Sequence, residues 1–260
     1  MLAAGGILGG LLLEGGKISD VAQITAAMIV VGGTVGAVMV TTPLPTLLRA
    51  ARKLPLVFFD KAQPPDAAIE QILGFAARAR KFGIVSLEQD AMKIQEPFLS
   101  KALNLAVDGT DLEALRKMME LEMSLEEQQG EAEAKVFECA GGYAPTVGII
   151  GAVLGLIQVM KHLENIEEVG RGIAVAFVAT VYGVASANLF FLPAGNKLRA
   201  RLHRAMRIRE LVLEGVIAIV EGLNPRLIRM KLEAYSRENG GAQAAKPEEA
   251  DGAPSPAVEA

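Results

Sequence analysis

Long apolar blocks alternate with charged blocks along the chain. Residues 2–13 carry no charge, and further apolar stretches cover residues 21–44, 144–160 and 172–192. The last three have about the length that an α-helix needs to cross the hydrocarbon core of a bilayer. The first is shorter, because 12 residues at about 1.5 Å each span about 18 Å of a core about 30 Å thick. The pattern therefore predicts an all-α integral membrane protein with four transmembrane helices, of which the first is short.

The charged blocks have helical rather than strand periodicity. Between the second and third spans we expect one helix after Asp66 and another from near Ser86 toward Pro97. A long charged helix should follow from Leu112 to about Phe137. The apolar phase of span four continues past residue 192, which predicts one long helix extending that span. The predicted segments are spans one and two (1–44), a cytoplasmic helical domain (45–143), spans three and four (144–192), C-terminal cytoplasmic helices (193–236) and a disordered tail (237–260).

The distribution of cations predicts the orientation in the membrane. Of the 26 Lys and Arg residues, 12 lie in residues 45–143 and 11 in residues 193–260. Cytoplasmic segments next to spans are enriched in Lys and Arg, so both large blocks are expected on the cytoplasmic side. The two short loops are then outside.

Composition excludes several classes of protein. The single cysteine, Cys139, cannot form a disulfide within the chain, and the two histidines lie far apart, so we expect no metal site and no cofactor. A net charge of −4 argues against nucleic-acid binding. The sequence contains no nucleophile elbow and no glycine-rich phosphate loop, and we predict that the chain is not an enzyme.

Spans three and four each carry a stripe of small residues at helical spacing. The stripes comprise positions 145, 148, 152, 155 and 159 in span three and 172, 176, 180, 183 and 187 in span four. Small residues allow membrane helices to pack closely. They also leave room for a narrow hydrated path, in which the hydroxyl of Thr180 could coordinate a cation or order a water. The two interpretations are compatible.

Spans two, three and four contain no Asp, Glu, Lys, Arg or His. An ion-coupled carrier usually needs a titratable or charged group at membrane depth. If this chain moves protons, the carboxylate that carries them must come from a partner.

Several segments resemble the MotA/TolQ/ExbB superfamily, and in particular its MotA/PomA flagellar stator branch. The resemblance covers nearly the whole chain up to about residue 235. The matching segments are 30–34 (VVGGT), 79–88 (ARKFGIVSLE), 144–156 (APTVGIIGAVLGL), 172–183 (GIAVAFVATVYG), 186–188 (SAN) and 224–226 (NPR).

The resemblance implies an assembly and a place in the cell. In that family five copies surround a MotB dimer in the bacterial inner membrane, an aspartate of MotB carries the ion, and ion flow turns the ring against the rotor protein FliG. The lack of a charge in the spans of this chain is what such an arrangement requires.

The resemblance also implies roles for individual residues. Arg80 and Glu88 match rotor-contact positions, although each could be an ordinary solvated charge. Pro145 and Pro225 match conformationally important prolines, although each could simply terminate a helix.

The ion pathway is expected to include Thr180, Ala152, Pro145 and Gly148. Thr180 matches the hydroxyl that faces the MotB aspartate. Ala152 stands where sodium-driven relatives have a second threonine, so we expect H⁺ rather than Na⁺ as the coupling ion.

Two alternative functions remain open at this stage. One is an ExbB/TolQ-type energiser of an outer-membrane process, which shares the signature of span three but has three spans. The other is a membrane scaffold without ion flow, in which the small stripes serve packing alone.

Overall fold

The chain is helical throughout the residues that the computed structural model describes, 2–58 and 65–241. No strand occurs within those ranges. Besides one 3₁₀ turn (Ile84–Leu87) and one π-helical turn (Ala187–Phe191), the elements are α1 (Leu2–Leu13), α2 (Ile18–Val21), α3 (Ile24–Thr41), α4 (Leu44–Phe58), α5 (Pro65–Phe82), α6 (Glu88–Ala91), α7 (Pro97–Val107), α8 (Leu112–Lys161), α9 (Ile166–Ser186), α10 (Leu192–Val220) and α11 (Pro225–Gly241).

Three helical segments are long and apolar enough to cross a membrane. They are α3, α8 and the continuous run Ile166–Val220 that contains α9. Large apolar side chains project outward from them, as lipid contact requires; examples are Met28, Val40, Ile149 and Phe177. Helix α1, which corresponds to the short first span of the sequence analysis, has only 12 residues. That it crosses the membrane as one of four spans stays a prediction.

The charged helix that was predicted from Leu112 and the predicted span three form one helix. Helix α8 runs for 50 residues from Leu112 to Lys161, where the sequence analysis expected a helix ending near Phe137 and a separate span. Pro145 lies inside it and does not terminate it. Proline has no N–H to donate to the carbonyl of Gly141 four residues earlier, which weakens the helix at this point.

Span four extends into the cytoplasmic segment, as the apolar phase predicted. Its first turn is capped by the Asn165 side chain, whose oxygen accepts hydrogen bonds from the N–H groups of Glu167 and Glu168. The wider π turn Ala187–Phe191 separates α9 from α10, and Pro193 is the second residue of α10. The long helix is therefore irregular where it leaves the apolar stretch.

The described residues divide into two compact units. The first contains residues up to 58 together with 124–204, and the second contains residues 65–123 together with 205–241. Helices α8 and α10 contribute residues to both units.

A buried carboxylate pairs with two cations in the first unit. Glu133 on α8 is 1% exposed, and its carboxylate lies 3.2 Å from the Arg49 guanidinium and 2.5 Å from the Lys53 ammonium, both on α4. A charge buried to this degree is tolerated only when it is paired. Apolar side chains surround the cluster: Val38, Val57, Phe137, Ala140, Ala194 and Leu198.

The second unit joins α8, α10 and α11 through one carboxylate. Glu214 accepts hydrogen bonds from Arg116 at 2.6 Å and Lys231 at 2.7 Å. Burial alone would raise the pKa of Glu214, but the hydrogen bonds from Lys231 and Arg116 outweigh it and hold the pKa below its usual value. The pairing of Glu214 with Lys231 and Arg116 therefore stabilises the fold at neutral pH, and this contribution is lost as the pH falls through the lowered pKa of Glu214.

After α5, the chain does not form the single helix that was expected from near Ser86 toward Pro97. Gly83 has a φ of +84°, which glycine adopts without strain, and the 3₁₀ turn and the one-turn α6 follow it. A new helix, α7, begins at Pro97, where the sequence analysis expected one to end. Proline at the first helical position lacks only a donor that would have no partner there.

The C-terminal helix α11 extends to Gly241, five residues beyond the boundary predicted at 236. Residues 242–260, most of the segment expected to be a disordered tail, lie outside the described residues.

Candidate functional site

Spans three and four approach each other through glycines. A Cβ added to Gly148 would lie 2.9 Å from the carbonyl oxygen of Ala179, and one added to Gly183 would lie 2.5 Å from the carbonyl oxygen of Ala144. Two turns further along α8, a Cβ at Gly155 would lie 2.8 Å from the carbonyl oxygen of Gly172. These distances are too short for any side chain, so α8 and α9 are in backbone contact.

The small stripes therefore serve packing within the chain. Gly148, which the sequence analysis assigned to the ion pathway, is buried in this contact together with Ala176. Thr180 and Ala152 lie at its edge and are half-buried. Pro145, also assigned to the ion pathway, is half-buried as well, so these three residues are the members of the stripes that are not fully buried.

The Thr180 hydroxyl is held by its own helix. Its Oγ1 donates a hydrogen bond of 3.1 Å to the carbonyl of Ala176, one turn earlier. This local bond uses the hydroxyl's single proton. The lone pairs of the oxygen are left to accept from a water or a protonated carboxyl, or to coordinate a cation.

Tyr182 connects span four to the start of span two, a contact that sequence reasoning missed. Its hydroxyl donates to the carbonyl of Val21 and accepts from the N–H of Gln23 at 3.2 Å. Both backbone groups precede the first turn of α3, where no helical partner is available. Inside a bilayer such groups must be satisfied within the protein. A tyrosine near the end of an apolar run carries no signal that identifies this partner.

Thr34 on α3 belongs to the matching segment 30–34, but no role was assigned to it from the sequence. It is 1% exposed, and its hydroxyl has no hydrogen-bond partner among the described residues.

A cavity of about 550 Å³ lies between α3 and the ends of α8 and α9 that adjoin their connecting loop. Its walls include Ile29, Leu154 and Val175, and its polar rim includes His162 and Glu168, whose side chains are 3.4 Å apart. By the predicted orientation this is the outer side of the membrane.

Arg80 and Glu88, the predicted rotor-contact residues, lie at the two ends of the irregular segment after α5. Arg80 is in the last turn of α5 and Glu88 begins α6, and both are exposed. Among the described residues neither makes an ion pair, whereas Arg78 pairs with Asp90 and Lys101 pairs with Glu122. The structure thus leaves these two opposite charges available to a partner.

Pro225, predicted to be a conformational residue, occupies the first position of α11. The side chain of Asn224 caps this helix by accepting from the N–H of Arg226 at 3.1 Å. The position is typical for a proline that starts a helix.

Together these features define a class of membrane protein. Its spans pack through glycine, contain a hydroxyl at Thr180 but no Asp, Glu, Lys, Arg or His, and continue into long charged helices. This is a helical membrane protein whose spans bring no carboxylate or cation of their own into the bilayer.

Comparisons with known proteins agree with this class. The model of the MotA/TolQ/ExbB proton channel family matches residues 90–211. Motility protein A of Bacillus subtilis is 34% identical over 87% of this chain and 84% of its own length. The chemotaxis protein PomA of Vibrio alginolyticus is 31% identical over 90% of this chain and 94% of its own.

Two solved stator structures have the same fold. The structure of C. jejuni MotAB has a TM-score of 0.85 at 32% identity and covers 90% of this chain and 92% of the matched chain. That of the flagellar MotAB stator complex from Bacillus subtilis has a TM-score of 0.83, also at 32% identity, and covers 94% and 96%. The chain belongs to the MotA/TolQ/ExbB proton channel family, in its flagellar motility branch.

The backbone contact between spans three and four predicts the effect of a single added methyl group. Gly183→Ala places a Cβ against the carbonyl of Ala144, so the helices must separate. We expect a loss of about 1–3 kcal/mol, as for other overpacked sites, measured as a lower unfolding temperature of the detergent-solubilised protein.

Gly36→Ala is the matched control, because a Cβ at Gly36 has no atom within 4 Å. Equal unfolding temperatures for the Gly183 and Gly36 variants would contradict the assignment of Gly183 to the contact.

Proposed function

We propose that this chain forms, with a MotB-type dimer, a proton-conducting stator in the bacterial inner membrane that applies torque to the rotor protein FliG. The chain is a stator subunit of the flagellar motor, and the observation that carries this conclusion is its fold similarity to the MotAB stator structures over 90% or more of its length. In the proposed assembly five copies surround the MotB dimer.

The partner is proposed to supply the group that binds and releases the ion. Spans two, three and four contain no Asp, Glu, Lys, Arg or His, and their hydroxyls include those of Thr180, Tyr182 and Thr34. An aspartate on a MotB span adjacent to Thr180 would provide the missing carboxylate. The free lone pairs of Thr180 can then accept a hydrogen bond from that aspartate when it is protonated.

The coupling ion is proposed to be H⁺. Sodium requires several oxygen ligands in place of its water shell, and the pathway residues of this chain offer one side-chain hydroxyl at Thr180 beside the methyl group of Ala152. A proton requires only a chain of waters and the partner carboxylate.

Arg80 and Glu88 are proposed to contact the rotor. Exposed ion pairs contribute about 0–1 kcal/mol each, which suits a contact that forms and breaks at every step. Opposite charges also direct the approach and register of the partner surface.

The relatives favour this function over an ExbB/TolQ-type energiser. The family model includes both kinds of protein, and the short helix α1 leaves the number of spans undecided. Motility proteins from Bacillus and Helicobacter match over most of their own length, which places this chain on the motility side.

Charge reversal tests the rotor contact. Arg80→Glu and Glu88→Lys should each reduce swimming severalfold while the amount of stator in the membrane stays unchanged, because both side chains are exposed and unpaired among the described residues. Lys117→Glu is the matched control, since Lys117 is exposed and its ion pair within the described part of the chain is with Glu113 on its own helix. Wild-type swimming in both test variants would contradict the assignment of Arg80 and Glu88 to the rotor contact.

Swimming speed as a function of ion gradients tests the coupling ion. We expect speed to follow the proton gradient and to be unaffected when external Na⁺ is replaced by K⁺ at constant proton gradient. A speed that depends on Na⁺ under those conditions contradicts the inference from Ala152.

A further inference from the structure

Three large apolar side chains project into solvent between the two predicted rotor-contact charges and just beyond them. Phe82 and Val85 are each 65% exposed, and Met92 is 73% exposed. They belong to residues 80–92, which we call the charged corner because Arg80 and Glu88 lie in it. In the rest of the second unit, exposed large apolar side chains lie on the long helices α8 and α11, at Met118, Leu121, Leu227 and Met230.

The backbone under these side chains is fixed. Gly83 reverses the chain direction, and its carbonyl accepts hydrogen bonds from both the hydroxyl and the N–H of Ser86, at 2.6 and 3.2 Å. Leu87 and Ala91 are fully buried and attach the 3₁₀ turn and α6 to the core. The exposed side chains are therefore presented by a preorganised frame, which lowers the entropy lost when a partner binds.

A cavity adjoins the charged corner. It has a volume of about 340 Å³, and Arg80 and Ile84 line it together with Ala79, Ala106 and Leu223. Engineered cavities of about 150 Å³ accept a benzene molecule, so this one has room for an aliphatic or aromatic side chain. Most of its walls are apolar, and Arg80 provides a charge at its edge.

The charges of the corner favour a protein partner over a lipid surface. The Lys81 ammonium lies 5.1 Å from the centre of the Phe82 ring, so cations and the aromatic ring form one surface. Glu88 lies at the other end of the segment, and an anionic membrane surface would repel it. A folded protein can place an acid opposite Arg80 and a base opposite Glu88 at the same time.

We propose that the charged corner is an apolar docking surface for the rotor protein, in which Phe82, Val85 and Met92 supply most of the affinity and Arg80 and Glu88 set orientation. The rotor presents an apolar side chain to the cavity beside Arg80. Exposed ion pairs contribute little to affinity, whereas aromatic residues dominate the energy of protein interfaces, and both aromatic residues and Met are enriched there. This inference rests on the proposed function, since it assigns the rotor as the occupant.

Single serine substitutions test the affinity. In full stator complexes solubilised with their MotB-type partner, Phe82→Ser is expected to weaken binding of purified rotor protein by about tenfold or more, with smaller losses for Val85→Ser and Met92→Ser. Wild-type binding should survive at high salt, because the apolar contact is not screened. Met230→Ser, equally exposed on α11, serves as the matched control. Unchanged binding by Phe82→Ser, or loss of wild-type binding at high salt, would overturn the inference.

A photo-crosslinking amino acid at position 82 identifies the occupant. We expect a product that contains the rotor protein in cells with assembled motors. A product containing a second copy of this chain, or loss of the oligomer in the serine variants, would show a subunit interface and overturn the inference.

The proposed rotor contact is tested separately by the charge reversals. If those variants stop swimming while the three serine variants swim normally, the docking inference fails and the stator function stands. If the charge reversals also swim normally, both assignments fail.

Discussion

The backbone contact between spans three and four is the constraint on which the membrane part of this chain depends. Within a bilayer the hydrophobic effect does not drive helices together, so association requires close van der Waals contact. Gly148, Gly155, Gly172 and Gly183 allow that contact by leaving no side chain between the two helices. The contact buries most of the small stripes and leaves Thr180 and Ala152 at its edge. It therefore decides which side chains of this chain can meet an ion or a partner span.

The same two spans continue as the long helices of the cytoplasmic segments. Helix α8 extends without interruption through Pro145, and span four continues into α10 across the π turn before Pro193. Each unit has a carboxylate that pairs with two cations: the buried Glu133 with Arg49 and Lys53 in the first, and the half-buried Glu214 with Arg116 and Lys231 in the second. In each unit the carboxylate is the more buried member, so the cations are what make its burial tolerable.

The sequence predicted the spans of the chain better than the breaks between its helices. Hydropathy and the 3.6-residue period carry the information for long helices, and they correctly indicated an all-helical membrane protein and the extension of span four. Proline was less informative: it was expected to end helices, but Pro145 lies inside one and Pro97 begins one. The corner at Gly83 depends on a single positive φ, which no periodicity reports. The partners of Tyr182 and Glu133 depend on contacts between distant parts of the chain, and one sequence does not contain that information.

We propose that this chain conducts protons only when a partner places a carboxylate beside Thr180. The most direct measurement is proton uptake into liposomes that contain the purified chain alone or with its MotB-type partner, under an imposed membrane potential. We expect no saturable proton flux for the chain alone, and a flux with the partner that disappears when the partner's intramembrane aspartate is replaced by asparagine. Saturable proton flux through the chain alone would contradict it.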